Sequence, residues 1–523
     1  MTGAVNGADP RHERIAALGA AVVVAVIALR ALGADPVGLF WDDAVYLGSA
    51  KALATGAGYR ITQLPDAPPA VHYPPLFPAL LATMWRLWPQ FPENLALLQL
   101  LNPILLAGAA GSAVLLGVRR FALAPVSAAV AVVVASSLSP ILVIATHLFS
   151  EPLAMVLTIG ALLVAERAVG PDARRFDAVA AGTLIALALL TRSAALPLFI
   201  SFMCVALLRR AWRPALIGAV LVLVPLAVWQ WWVARHAGVL GPELIGAYGP
   251  YAQWVASAMA ADQGFLAATV AKNAAILGRV GGVLFAPLMP PFAKSVAAAA
   301  VGATLLAGMW TARRTAPVTV LTALGSLALV LVWPGEPERF LFALWPVFVL
   351  LLAHATMRAI AAERRAHAGA RLPWLGRRAV VVATLLLGVG HAIYVGRGLL
   401  RESYRAPVGP LRDKYLPLVL WARAQADLPL IASDAAPMLS LALDRPVVPT
   451  SSLGADEYLT AKSLPRVTAE LTALLRRYRP ALLLLSPGAQ EQDAVDELPS
   501  SIRALPLATL ENGTALWRLE YAR

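Results

Sequence analysis

The chain has 523 residues, 59% of them hydrophobic and only 14% charged, with a mean hydropathy of +0.70. Soluble domains carry about 25% charged residues, so the composition excludes an ordinary soluble globular protein and points to lipid contact. The net charge of +13 does not indicate a nucleic-acid partner. The arginines sit in short clusters between apolar runs (Arg119 and Arg120, Arg174 and Arg175, Arg209 and Arg210, Arg313 and Arg314, Arg364 and Arg365, Arg377 and Arg378), the distribution of cytoplasmic loops under the positive-inside rule.

In chain order, Arg11 and Arg14 precede an apolar helix at 15–33, which therefore leaves the cytoplasm. No small-residue cleavage site followed by polar chain ends it, so it is read as a retained helix. A long outer loop, 34–92, contains the apolar piece 76–88, which is too short to cross and is expected to lie on the membrane surface. Further crossings are expected at 93–118, 122–147, 151–168, 178–192, 194–208, 214–235, 292–312, 316–333, 339–360 and 378–397. Runs this long cannot be barrel strands. The fold class is an all-α polytopic membrane protein of about 11 transmembrane helices, with surface helices on the outer side. The piece 265–290 carries Lys272, Asn273 and Arg279 and is read as a second surface helix; if it spans, another boundary moves. Cys204 lies in an apolar run and reads as a packing residue.

After about residue 400 the pattern changes. Residues 404–523 alternate helical pieces with strand-like runs at 429–432, 446–448, 481–485 and 514–521, expected to form a small C-terminal α/β soluble domain. The expected division is therefore 1–400 and 404–523. An odd number of crossings places the second part outside the cell and the N-terminus in the cytoplasm of a plasma (inner) membrane protein.

Acidic residues are scarce near the expected outer surface, and the first outer loop concentrates them. It reads Phe40-Trp41-Asp42-Asp43-Ala44-Val45-Tyr46, enters a short helix to about Thr55, and later reaches His72-Tyr73-Pro74-Pro75. Two carboxylates at a helix start have a plain structural explanation as caps that favour the helix dipole. The alternative is that one acts as general base toward an incoming hydroxyl. Three further polar spots fall at expected outer helix ends: Ser150-Glu151-Pro152, Thr191-Arg192-Ser193 and Glu338-Arg339-Phe340. Each alone is explained by interfacial anchoring. Together on one membrane face they mark a functional site. The histidines show no metal-ligand spacing, so no metal and no cofactor are expected.

Asp42-Asp43-x-x-Tyr46 with the following short helix and the His72-Tyr73-Pro74-Pro75-Leu76 run resembles the first outer loop of the C-type glycosyltransferases. The closer resemblance is to the branch of protein O-mannosyltransferases and lipid A aminoarabinose transferases. The Ser-Glu-Pro, Leu-Thr-Arg and Glu-Arg-Phe spots match that branch in order and spacing over about residues 15–400. The resemblance implies a polyprenyl-phosphate sugar as donor and an acceptor hydroxyl on an envelope glycan, lipid or protein. It makes Asp42 the catalytic base with Asp43 beside it, and Tyr46, His72, Tyr73 and Glu151 substrate-binding residues. Arg192 and Arg339 are candidates for the donor phosphate, because guanidinium binds phosphate in paired fashion. Two departures stand out. Asp43 replaces a glutamate, and Tyr73 stands where a lysine often precedes the proline pair. The C-terminal part resembles nothing assigned.

A transporter or lipid-glycan flippase is the rival reading. It predicts inverted repeats and matching broken helices in two halves, and the acidic first loop has no counterpart later in the chain. A second rival is a scaffold whose outer domain holds a partner.

Overall fold

Backbone in lipid must satisfy its own hydrogen bonds, which leaves helices or closed barrels. The computed structural model, which describes residues 9–365 and 371–522, is a helical bundle carrying one small sheet. Helix α1 (Pro10–Ala31) starts at Asp9, whose carboxylate accepts from the Arg11 N–H at 2.9 Å, with proline at the first turn where a missing N–H costs nothing. The first loop holds α2 (Asp42–Ala54) and α3 (Leu76–Leu87). The bundle continues through α4 (Leu95–Phe121), α5 (Pro125–Ser136), α6 (Ser139–Thr146), α7 (Glu151–Ala168), α8 (Arg175–Thr191), α9 (Leu196–Leu208) and α10 (Trp212–His236). Short helices α11 (Ile245–Tyr248) and α12 (Tyr251–Ala261) lead into α13 (Phe265–Phe285), α14 (Pro291–Ala312), α15 (Pro317–Val332), α16 (Pro337–Phe342), α17 (Trp345–Arg365) and α18 (Arg371–Leu400). Small residues allow close helix crossings: a Cβ on Gly308 of α14 would run into the Leu351 carbonyl of α17.

Among the described residues six helices are long and apolar enough to cross a membrane: α1, α4, α10, α14, α17 and α18. The expected straight crossing at 122–147 is corrected. It is two helices, α5 and α6, bent by 70°. Continuing α5 through Pro140 would lose the bond to the Ser136 carbonyl and clash with it, so the chain opens at Leu138, which is extended. The expected crossing at 339–360 is likewise interrupted between α16 and α17. The piece read as 265–290 is the helix α13, 21 residues long, packed along α14, α15 and α18. Reporter fusions test the eleven-crossing expectation. Fusions after Gly170 and Arg314 should report cytoplasm and one after Ser403 the outside; a cytoplasmic signal at Ser403 overturns it. A fusion after Ala370, also expected in the cytoplasm, lies outside the described residues.

The C-terminal part adds α19 (Val408–Arg423), β1 (Ile431–Ser433), α20 (Ala436–Leu443), β2 (Val448–Pro449), α21 (Leu464–Tyr478), β3 (Leu482–Leu485), α22 (Glu491–Ala494), β4 (Ile502–Thr509) and β5 (Ala515–Tyr521). The sheet order is β2-β1-β3-β5-β4. The first three strands are parallel, with Ala432 paired to both Val448 and Leu483, and β5 runs antiparallel to β3 and β4. The sheet unit docks onto the first loop. Gly38, at φ +105°, lies so close to Met438 that any side chain would collide, which only glycine accommodates at that φ. The Val447 N–H donates to the Gln63 carbonyl at 2.9 Å, and Lys51 pairs with Asp444.

Candidate active site

The turn into α2 aims its two aspartates in different directions. Trp41 has φ 64° and ψ −61°, and the Asp42 N–H donates to the Phe40 carbonyl at 2.6 Å. This is a γ-turn of the rarer, strained hand, costing about 1–3 kcal/mol at a non-glycine residue. Asp43 turns inward: its carboxylate accepts from the backbone N–H groups of Gly38 at 2.7 Å and Phe40 at 3.3 Å, and the residue is 1% exposed. Burial raises its pKa despite those bonds. Neither aspartate caps α2 through its side chain: Asp43 braces the loop ahead of the helix and lies off the cavity lining, whereas Asp42 faces the cavity.

Asp42 Oδ1 accepts from the Tyr73 hydroxyl at 2.5 Å, and Oδ2 accepts from Arg339 Nη2 at 2.6 Å. Arg339 Nε donates to Glu151 Oε1 at 2.7 Å, and Arg192 Nη1 reaches the same oxygen at 3.0 Å. Arg192 also donates to Ser150 Oγ, which is hydrogen-bonded to the Tyr46 hydroxyl, both at 3.0 Å. Glu151 is buried at the start of α7, and the Arg339 guanidinium lies 4.6 Å from the centre of the Phe149 ring. Burial disfavours the Asp42 carboxylate. Arg339, the Tyr73 hydroxyl and Arg192 outweigh that and hold its carboxyl below the ordinary range. His72 Nδ1 lies 2.6 Å from the Gly249 carbonyl, which can only accept, so Nδ1 carries the proton. Burial lowers the ring's pKa, leaving Nε2 of the neutral ring as an acceptor.

All eight sequence-predicted residues thus gather at one place, seven of them around the cluster and Asp43 behind it. Sequence reasoning missed the two asparagines that hold the cluster's backbone. Asn102 of α4 donates to the carbonyls of His147 at 2.6 Å and Phe149 at 2.9 Å, fixing the turn that delivers Ser150 and Glu151. Asn273 of α13 donates to the carbonyls of Val330 at 2.9 Å and Trp333 at 2.7 Å, fixing the exit of α15 that leads to Arg339. Both are fully buried. The available signal was an amide inside a mostly apolar helix, at Asn102 and, beside Lys272, at Asn273. Asn102→Ala and Asn273→Ala should each destabilise the protein by about 1–3 kcal/mol and slow turnover. The Asn→Asp variants should not rescue either effect, because a carboxylate has no N–H to give. Wild-type melting and rate in the aspartate variants would remove this positioning role.

Two cavities meet at the cluster. One, of about 650 Å³, lies between the first loop, α12, α16 and the sheet unit, and includes Asp42, His72, Arg192 and Arg339 in its wall. The other, of about 340 Å³, is lined largely by apolar side chains, among them Trp229 and Val233 of α10 and Leu329 and Val330 of α15, with Tyr46, Tyr73 and Arg192 at its polar end. The arrangement places the Asp42 carboxylate and two guanidiniums where a chamber with polar walls meets an apolar groove. Among the described residues no three His, Cys, Asp or Glu side chains converge to hold a metal ion.

No family model matches the sequence, and no curated protein does. Solved structures are similar. ArnT from Cupriavidus metallidurans in the apo state has a TM-score of 0.52 at 14% identity, covering 96% of this chain and 97% of that one. The same protein bound to undecaprenyl phosphate gives 0.52 at 15% identity with the same coverage. The archaeal oligosaccharyltransferase AglB from Archaeoglobus fulgidus, in complex with an inhibitory peptide and a dolichol-phosphate, gives 0.51 at 15% identity, over 90% of this chain and 69% of that one. At such identities the likeness is one of fold. The chain has the multi-pass membrane fold of these C-type glycosyltransferases, as the first-loop resemblance implied.

Proposed function

We propose that the protein is a membrane glycosyltransferase that moves a sugar from a polyprenyl-phosphate donor to an acceptor hydroxyl on the outer face of the inner membrane. The observation that carries this reading is the placement of Asp42, Arg192 and Arg339 where a polar chamber meets an apolar groove. The groove takes the first units of the polyprenyl tail, and the guanidiniums take the phosphate. Asp42 accepts the proton of the acceptor hydroxyl as its oxygen bonds to the anomeric carbon. The bond from that carbon to the phosphate oxygen breaks, and the electron pair leaves with the phosphate. The products are a glycoside with inverted configuration and polyprenyl phosphate. Arg192 and Arg339 stabilise the charge that develops on the leaving oxygen, so the reading uses no metal and chelators should leave the rate unchanged. That ArnT is known with undecaprenyl phosphate bound, and AglB with a dolichol-phosphate, supports the donor class.

The test is reconstitution of the full chain in liposomes with undecaprenyl-phosphate hexoses and pentoses. Chain-dependent release of undecaprenyl phosphate is expected from at least one donor. Movement of the intact lipid across the bilayer without cleavage would overturn the reading in favour of a flippase.

A further inference from the structure

The sheet unit faces the candidate site with the edge on which open α/β sheets bind ligands. In such sheets ligands sit beyond the carboxyl ends of the parallel strands, at the point where connections leave in opposite directions. Here the parallel order is β2-β1-β3, so that point lies beside β1. The residues following all three strands enter the wall of the 650 Å³ chamber: Ser451 and Leu453 after β2, Asp434 after β1, and Gly488 and Glu491 after β3.

These strand ends are tied together by carboxylates. Asp434 accepts from the Ser486 N–H at 3.0 Å and also from the Ser486 hydroxyl, and Glu491 accepts from the Thr450 hydroxyl at 3.1 Å. A carboxylate has room for about four hydrogen bonds, so acceptor capacity remains on both. The same chamber contains a chain of aromatic rings: Tyr251, Trp254 and Trp333 of the membrane part and Tyr458 of the C-terminal part. Tyr251 and Trp333 have centroids 5.4 Å apart, Trp333 and Trp254 5.9 Å, and Trp254 and Tyr458 6.1 Å. Trp254 Nε1 donates to the Leu453 carbonyl at 2.7 Å, joining the aromatic chain to the end of β2.

We propose that this crest is the acceptor subsite and that the acceptor is a saccharide, its hydroxyls donating to Asp434 and Glu491 and its ring faces lying on the Trp254–Trp333–Tyr458 wall. The inference rests on the transferase reading and names its acceptor. Neutral hydroxyls meeting carboxylates form short charge-assisted bonds, and the C–H faces of a sugar ring suit the negative face of an aromatic ring. Lys414 lies 4.0 Å from the Asp434 carboxylate, so one of the two carboxylates already faces a cation of the protein. An acyl chain would instead choose the apolar groove. A peptide would meet strand ends rather than an open strand edge with its rows of N–H and C=O groups.

The experiment uses the full chain in nanodiscs with methyl glycosides of mannose, glucose, galactose and arabinose, their linked dimers, and a serine-rich peptide as probes. Binding is read by saturation-transfer NMR and calorimetry, and undecaprenyl phosphate binding is measured on the same preparations. At least one saccharide should bind saturably. Asp434→Asn and Trp254→Phe should each weaken it by about tenfold and leave undecaprenyl phosphate binding within twofold of wild type. Because Asp434 also ties strand ends, Glu491→Gln serves as an independent variant, and melting curves check each fold. Three results would overturn the proposal: no saccharide binding by the wild-type chain, saccharide binding that none of the three variants weakens, or saturable binding of the peptide alone. Loss of undecaprenyl phosphate binding by the wild-type chain would count against the transferase reading instead, and the saccharide result would still decide this one.

Discussion

Asp42→Asn should lower transfer by about 10²–10⁴-fold, the usual contribution of a positioned base, while the protein still folds and binds donor. The amide keeps an oxygen for the Tyr73 hydroxyl but cannot take a proton. It also releases Arg339 from its ion pair, so donor binding should be unchanged or tighter. Asp43→Asn should retain more activity, since Asp43 is spent on backbone N–H groups. The pH profile sharpens the test. In the free protein the Asp42 carboxyl lies below the ordinary range, so the base persists in its working form to more acidic pH and the acid limb of kcat/KM falls below that range. A bound phosphate competes for the same guanidiniums and adds negative charge beside Asp42, which raises its pKa. The acid limb of kcat, which reports the bound complex, should therefore lie at higher pH than that of kcat/KM. Near-normal single-turnover rates in Asp42→Asn would remove it as the base.

What the sequence exposed and what it hid follow from the range of each interaction. Arg192, Glu151 and Arg339 were legible because a charge beside an apolar run has few reasons to be there. Which of two adjacent aspartates faces the chamber was not legible, because it depends on the strained turn at Trp41. The bend between α5 and α6 had a local cue in Pro140, which length and hydropathy overrode. Strand β4 (Ile502–Thr509) was missed because it is an edge strand that is mostly exposed and contains Pro506, where the pairing shifts by a residue. The asparagine clamps and the docking of the sheet unit over the site are contacts between residues far apart in the chain. Gly38 against Met438 has no trace in local pattern.

Arg339 yields the second large effect. Its guanidinium bridges the cavity-facing Asp42 and the buried Glu151, so the residue carries both a structural and a chemical load. Arg339→Ala should slow the chemical step by about 10²-fold or more, the scale of losing one donor to a developing anion. It should also lower the melting temperature, because removing one partner from a buried ion pair costs up to about 3–5 kcal/mol. The remaining pair between Glu151 and Arg192 at 3.0 Å keeps the stability loss below that limit. Arg339→Lys separates the two loads. An ammonium can pair with Glu151 or with Asp42, but it lacks the planar donors that bridge both and grip a phosphate in paired fashion. The lysine variant should therefore recover most of the melting temperature and only part of kcat. An interfacial anchor for α16 would be served equally by lysine, with rate and stability both restored. A contact made equally to bound donor and transition state would raise KM alone. Rate loss that persists in Arg339→Lys after stability has returned is the result that places this guanidinium on the leaving phosphate, and full activity in both variants would take it off.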